Sequence, residues 1–309
     1  MKKAAVAVAP TKCIITGEHF VVHGARALAA AVGRYVTVEV TESPWRRVSS
    51  DRVGTAEGLA PLGRVLDAIA DTYALKHDFS VSVSSDVPHG AGLGSSAATM
   101  VAVAEAVSRL ESLRFTKKET VAYAMIGESA VHGRPSGIDV NVCAYGGVML
   151  FRMGETPRAV KLRGGRSLIL VYSGTQRSTK VQIDKVAAAK SRRPGFFKAL
   201  TVAVDEVSGL AAQRLVDGDL DGLGRLMNIN HAMLQSVGAS SEQVNGIVDE
   251  LLAAGCLGAK LTGAGGGGNV LGLTPKGREK EIITRLRERG FEAFEARLPV
   301  GGVKSWLKR

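Results

Sequence analysis

The sequence predicts a mixed α and β (α+β) protein in two domains, on three observations. Helix-period and strand-period stretches are interspersed along the whole chain. The length of 309 residues, with 45% hydrophobic and 22% charged, suits an ordinary globular protein large enough for more than one core. A polar stretch from Arg152 to Arg166, rich in Gly, Arg and Pro, separates two halves that each carry their own apolar segments. The expected domains are therefore 1–160 and 161–309.

The elements follow in order. Ala4 to Ala9 is a short apolar run after Met1-Lys2-Lys3. It is too short for the core of a secretory leader and leads straight into a polar motif, so it reads as a first strand. Val36, Val38 and Val40 alternate with other residues, and Ser80 to Ser84 alternates Ser with Val, as half-buried strands do. Leu168 to Tyr172 is a short apolar run suited to a buried strand, and Phe291 to Leu298 reads as the last strand. Helical spacing links Leu62, Leu66, Ile69 and Tyr73. Thr116 with Glu119 forms a capping-box pattern ahead of a helix through Ser129. Ser240 with Gln243 forms another, ahead of Val244 to Ala254 with Gly255 as the stop. Gly277 to Arg289 predicts a charged amphipathic helix ending at Gly290.

Composition narrows the function classes. The net charge of +11 is scattered over short basic clusters with no helix-turn-helix or zinc-finger pattern. It fits a basic enzyme surface that attracts anionic small molecules better than a nucleic-acid partner. No apolar stretch approaches the roughly 20 residues of a membrane span. Cys13, Cys143 and Cys256 are odd in number, far apart and form no CxxC, which suits a reduced, cytoplasmic protein.

Three motifs carry chemistry. Pro88-His89-Gly90-Ala91-Gly92-Leu93-Gly94-Ser95-Ser96 follows a predicted strand and opens a helical run, Ala97 to Leu110. Alternate glycines let backbone N–H groups curl around an oxyanion at a helix N-terminus, with Ser95 and Ser96 in reach of a phosphate or a Mg²⁺ ion. No Lys follows the last Gly, so this is not a Walker A loop, and the GxGxG spacing is not a Rossmann fingerprint. The second, Lys260 to Asn269, contains Thr262-Gly263-Ala264 and four consecutive glycines. So much glycine in a folded domain means that a ligand or another loop approaches the backbone closely. The third, Pro10 to Gly24, places Lys12, Glu18, His19 and His23 in a strand-turn region. Its Glu-His spacing is not that of a zinc HExxH site.

In this order and together, the three stretches resemble the GHMP kinase superfamily, named for galacto-, homoserine, mevalonate and phosphomevalonate kinases. The resemblance covers about residues 8 to 300. Gly17-Glu18-His19-Phe20-Val21-Val22-His23-Gly24, the block from Glu128 through His132-Gly133-Arg134-Pro135-Ser136-Gly137-Ile138-Asp139, and Lys260 to Gly268 are similar to its mevalonate-phosphorylating branch. Two positions depart from that pattern: Asn269 stands where Cys is common, and Thr16 where an apolar or aromatic residue is common.

The resemblance implies a two-domain fold: an N-terminal domain with a left-handed βαβ crossover and a C-terminal ferredoxin-like domain, with the site in the cleft between them. It also implies ATP-dependent phosphorylation of mevalonate with Mg²⁺. Asp139 would orient the substrate hydroxyl and take its proton, and Lys12 beside it would compensate charge on the transferring group. Ser96 and Glu128 would hold the metal, a set of oxygen donors suited to Mg²⁺. Lys12, Ser85, Pro88, Gly90, Ala91, Gly92, Leu93, Gly94, Ser95 and Ser96 would hold the triphosphate. Glu18, His19, His23, Asp139, Thr262 and Gly263 would face the substrate, with Arg177 a further candidate for its carboxylate. A homodimer is compatible with the resemblance.

Three rivals stay open at this level. A phosphomevalonate, homoserine or sugar kinase would share the glycine loops. A non-catalytic ligand sensor would show degenerate catalytic positions, whereas Lys12, Glu128 and Asp139 are all present. A nucleic-acid binder would show steep salt dependence.

Overall fold

The structure, a computed structural model, describes residues 3–51, 56–87, 92–133, 135–162, 164–175 and 179–308. In chain order the first half comprises β1 (Ala4–Thr16), β2 (Ala27–Ser43), β3 (Arg47–Ser50), α1 (Ala56–Tyr73), β4 (Asp78–Ser85), α2 (Ser95–Leu110), α3 (Lys117–His132), α4 (Ile138–Tyr145), β5 (Val148–Phe151) and β6 (Arg158–Val160). The second half comprises β7 (Arg166–Tyr172), α5 (Thr179–Arg192), α6 (Pro194–Asp217), α7 (Leu220–Ser236), α8 (Glu242–Ala253), β8 (Gly258–Leu261), β9 (Asn269–Leu273), α9 (Glu279–Glu288), β10 (Glu292–Leu298) and β11 (Lys304–Lys308).

The first sheet runs β11-β1-β2-β4-β3, with β5 and β6 continuing from β2. Its one parallel pairing among the described strands is β3 with β4, joined through α1 as a βαβ unit. Strand β1 is longer than the opening apolar run because it carries the polar motif up to Thr16 into the sheet against β2. Helix α2 packs on β1 and β2 and against α1, α3 and α4. Its small Ala and Val side chains bury almost the whole circumference, Ala97 to Leu110, so this helix is central and its N-terminus is rigidly placed. Helix α3 opens with the expected capping box: the Glu119 N–H donates to Thr116 Oγ1 and the Thr116 N–H to the Glu119 carboxylate.

The second sheet runs β10-β7-β9-β8, all antiparallel, within a β7-α8-β8-β9-α9-β10 succession. That is the strand order of a ferredoxin-like domain, with α5 to α7 inserted ahead of α8. The cap of α8 is Ser241, one residue later than the sequence pattern suggests. Gln243 instead donates to the Ser173 carbonyl at 2.7 Å. The strand over 292–298 is not the last, because β11 follows it and returns to pair with β1 from Ala4↔Lys308 to Val8↔Lys304. That final strand falls in the 161–309 part yet belongs to the first sheet, so the two chain ends are stitched together.

One buried cluster joins the halves. Cys13, Ile15, Leu28, Ala30 and Val32 from the first sheet pack with Leu168, Leu170, Leu271 and Ala296 from the second and Met227 from α7. The site described next lies along this seam. Cys13, Cys143 and Cys256 are free and buried. Among the described residues, no helix is long and apolar enough to cross a membrane.

Candidate active site

Four segments distant in sequence converge at the N-terminus of α2. Lys12 sits in β1 and is 3% exposed, while Asp139, in the first turn of α4, is 34% exposed. Lys12 Nζ lies 3.2 Å from Asp139 Oδ2. The Lys12 N–H donates to the Leu93 carbonyl at 2.9 Å, which pins the glycine loop to β1. Gly94 closes the arrangement. Its φ is +68°, and an added Cβ would meet Lys12 Cε at 2.8 Å and Asp139 Oδ2 at 3.4 Å. The position therefore needs glycine both for its left-handed backbone and for the close approach of the ion pair.

Gly94 is also the N-cap of α2 and supplies no side-chain cap. The first-turn N–H groups, at the positive end of the helix dipole, thus have no side-chain cap, and the Lys12–Asp139 pair lies against the N-cap residue. Ser96 Oγ donates to Glu128 Oε1 across to α3, and Glu128 is 3% exposed. One hydroxyl and one carboxylate beside this turn are a hard-oxygen set of the kind that fits Mg²⁺.

The C-terminal glycine loop reaches the same place. A Cβ on Gly92 would meet the Thr262 carbonyl at 2.9 Å, and one on Gly263 would meet the Gly92 carbonyl at 3.0 Å. The two glycine loops therefore touch backbone to backbone, and each explains the other's composition. Thr262 Oγ1 accepts from the Ile14 N–H at 2.9 Å and donates to the Ile14 carbonyl at 3.3 Å. Its hydroxyl clamps the loop to β1 and is committed to backbone.

Other expected residues sort differently. Glu18 is 1% exposed and forms an ion pair with Lys260, itself 0% exposed. Lys260 Nζ also donates to the Leu261 carbonyl at 2.6 Å. Burial pushes the Glu18 carboxyl up and the Lys260 ammonium down from their usual ranges, each opposed by the partner's charge. Glu18 thus ties the two halves together, with its carboxylate shielded from the cleft. His19 adopts φ 61° and places Nε2 2.9 Å from the Ala264 carbonyl. Burial lowers its pKa, so Nε2–H donates to that carbonyl from a neutral ring. His23 is exposed, with Nδ1 3.3 Å from Lys190 Nζ and its ring edge-on to Phe197. It faces α5 and α6. The Ser85 hydroxyl donates to the Val87 carbonyl at 3.0 Å within the turn after β4. Pro88, Gly90, Ala91 and Arg177 lie outside the described residues.

Sequence reasoning overlooked Lys260 as a partner for Glu18 and Gln182 as a neighbour of the second glycine loop. A lysine inside a strand that runs into a glycine loop was the available signal for the first. For Gln182 there was none.

A helix-terminal anion nest, a cation, a half-open carboxylate and a hard-oxygen pair are the parts that phosphoryl transfer to a hydroxyl calls for. Comparison with known proteins gives that class its family. Residues 61–147 match the family model described as GHMP kinases N terminal domain, and residues 210–292 the one described as GHMP kinases C terminal. The chain belongs to the GHMP kinases. It is 34% identical to a mevalonate kinase of Aeropyrum pernix, with 98% of this chain and 99% of that protein covered. It is 35% identical to a mevalonate kinase of Methanothermobacter thermautotrophicus, with 96% and 98% covered. The crystal structure of L. major mevalonate kinase in complex with R-mevalonate superposes with a TM-score of 0.84 at 28% identity, covering 96% of each chain.

Proposed function

We propose that the protein transfers the γ-phosphoryl group of ATP to the C5 hydroxyl of (R)-mevalonate, releasing ADP and 5-phosphomevalonate, a step toward isoprenoids. The observation that carries this reading is the Lys12–Asp139 pair at the mouth of the α2 nest, 3.2 Å apart. It stands in a chain that matches mevalonate kinases over nearly its full length.

The half-exposed Asp139 carboxylate accepts a hydrogen bond from the substrate hydroxyl and aims its oxygen at the γ-phosphorus. An aspartate is a weak base for an alcohol, so the proton moves to it late, as the new O–P bond forms and the bond from the γ-phosphorus to the β,γ-bridging oxygen breaks. Lys12 holds Asp139 in place and offsets charge on the transferring group. The N–H groups at the start of α2 hold the phosphates. Ser96 and Glu128 would hold a Mg²⁺ ion, which supplies charge neutralisation of the triphosphate. The touching glycine loops wall the site off from the C-terminal side. The same reading makes the enzyme cytoplasmic, with a nucleotide-binding part over 1–160 and a second part over 161–309.

A coupled ADP-release assay tests the assignment. Mevalonate with ATP and Mg²⁺ is expected to support turnover, and chelation with EDTA to abolish it. Phosphomevalonate, homoserine and galactose are expected to be poor acceptors. Faster turnover of any of these than of mevalonate would overturn the substrate assignment.

A further inference from the structure

Helix α5 carries a side chain that the chemistry above leaves unused. Gln182 is 0% exposed, and among the described residues neither its Oε1 nor its Nε2 has a hydrogen-bond partner. An amide taken out of water with both ends unpaired is a standing destabilisation, which a leucine of similar size would relieve. The amide rests on the second glycine loop. An added Cβ at Gly266, where φ is +69°, would meet Gln182 Nε2 at 2.1 Å and Cδ at 2.4 Å.

The loop is tethered at Thr262, at Ala264 through His19, and at Gly268, and among the described residues no hydrogen bond holds 265–267. At one end Thr262 is clamped to Ile14. At the other, the Gly268 N–H donates to the Thr175 carbonyl at 3.1 Å and the Gly268 carbonyl accepts from the Ser173 N–H at 2.9 Å. Between them Gly265 lies against the Ala239 carbonyl, where an added Cβ would come within 2.1 Å. Gly265 and Gly266 are therefore boxed between the Ala239 carbonyl and the Gln182 amide, with no side chains of their own. A primary amide offers one acceptor oxygen and two donor hydrogens, which is the complement of a peptide group. A modest rotation of a glycine peptide satisfies it, and glycine permits that rotation.

We infer that Gln182 is a positioning residue for phosphoryl transfer. Its amide takes hydrogen bonds with the peptide groups of Gly265 to Gly267 when nucleotide and alcohol are bound. It so holds the loop against the phosphate loop through the Gly263–Gly92 contact. The inference rests on the kinase reading given above. Pairing the amide with those peptide groups offsets the cost of burying it and so favours the loop position that supports transfer.

Gln182→Leu and Gln182→Met separate this role from packing. Both variants are expected to raise the melting temperature of the unliganded protein, by roughly 2–4 °C for the leucine. Both are expected to lower kcat for mevalonate phosphorylation about tenfold, since a loop displaced by a fraction of an ångström misaligns the transfer. The rise in Tm on adding a non-hydrolysable ATP analogue with Mg²⁺ is expected to be smaller than in the wild type. Unchanged kcat and an unchanged nucleotide-induced shift in both variants would overturn the inference. So would a Tm that falls together with kcat in both, which marks a packing role. The nucleotide-induced shift does not depend on which alcohol is the acceptor. Wild-type protein idle on mevalonate therefore counts against the substrate assignment, while the variants' shifts still decide the role of Gln182.

Discussion

Asp139 keeps 34% of its side chain open to solvent while its partner Lys12 keeps 3%, and the difference sorts their roles. The buried ammonium is fixed by the sheet. The carboxylate on the short helix α4 is free to meet a ligand. Replacing Asp139 with Asn preserves shape and removes the proton acceptor, and replacing Lys12 with Met removes the compensating charge. Each substitution is expected to lower kcat by about 10²–10⁴-fold, judged from the usual worth of a general base or of one electrostatic donor. ATP binding should largely survive, because the α2 N-terminus and its glycine turn remain. Single-turnover phosphorylation together with nucleotide titration checks this. A variant that loses nucleotide affinity and turnover in parallel would place the pair in binding, outside the chemistry. Both residues could be picked out in the sequence because the motifs that carry the family resemblance are local. The partner of Glu18 was not, since Lys260 meets it only through tertiary packing.

At the scale of elements, the two capping patterns located their helix starts to within a residue, while helices read from periodicity alone began two to six residues away from where expected. The Thr116–Glu119 box is present as expected, and replacing Thr116 with Ala should cost about 1 kcal/mol. Urea denaturation reads that loss, and kcat should not change, because the cap lies at the far end of α3 from Glu128. The cap of α8 was misplaced by one residue because Ser240 and Ser241 are both good caps. Two of the inserted helices, α5 and α6, have weak amphipathic patterns and carry exposed apolar residues such as Val181, Ile183 and Val202. Their sequences therefore give little helical contrast between faces. Strand β11 was missed for a related reason. It is short and mostly exposed, and its place is set by the edge of β1 that it covers.

Across the whole molecule, the buried Glu18–Lys260 pair joins the start of the chain to the last third. Glu18→Ala leaves an uncompensated ammonium in the core and is expected to destabilise by about 3–5 kcal/mol. A Glu18→Leu/Lys260→Met double variant should recover much of that loss in chemical denaturation. If it is as unstable as the single variant, the pair's contribution is not one of charge pairing. Acid should weaken the same region. His231, whose Nδ1 accepts from the Leu261 N–H, is held at about 4 by burial and then by the Lys260 ammonium. In the unfolded chain it titrates near 6.5. The unfolded state therefore binds the proton first as pH falls. The stability that neutral His231 contributes is full above about pH 6.5 and is lost progressively down to about pH 4. Urea midpoints at pH 7, 5.5 and 4.5 should decline accordingly, and His231→Gln should flatten the decline. An equal slope in both proteins would show that other groups govern it.

By itself, the order of residues along the chain determined the class of the protein, its two glycine loops and most of the regular elements, and through its family resemblance it singled out Lys12, Glu128 and Asp139 as candidates. Each of these is written in contiguous residue types whose backbone chemistry acts locally: glycine where an anion or another backbone approaches, a cap where a helix starts, alternation where a sheet is half buried. Only the tertiary structure decided that the two glycine loops touch each other, that Glu18 turns inward to Lys260 while His23 turns outward to Lys190, and that the final strand closes the first sheet. Those outcomes depend on which distant surfaces exclude water together, and no window of sequence contains both sides of such a contact.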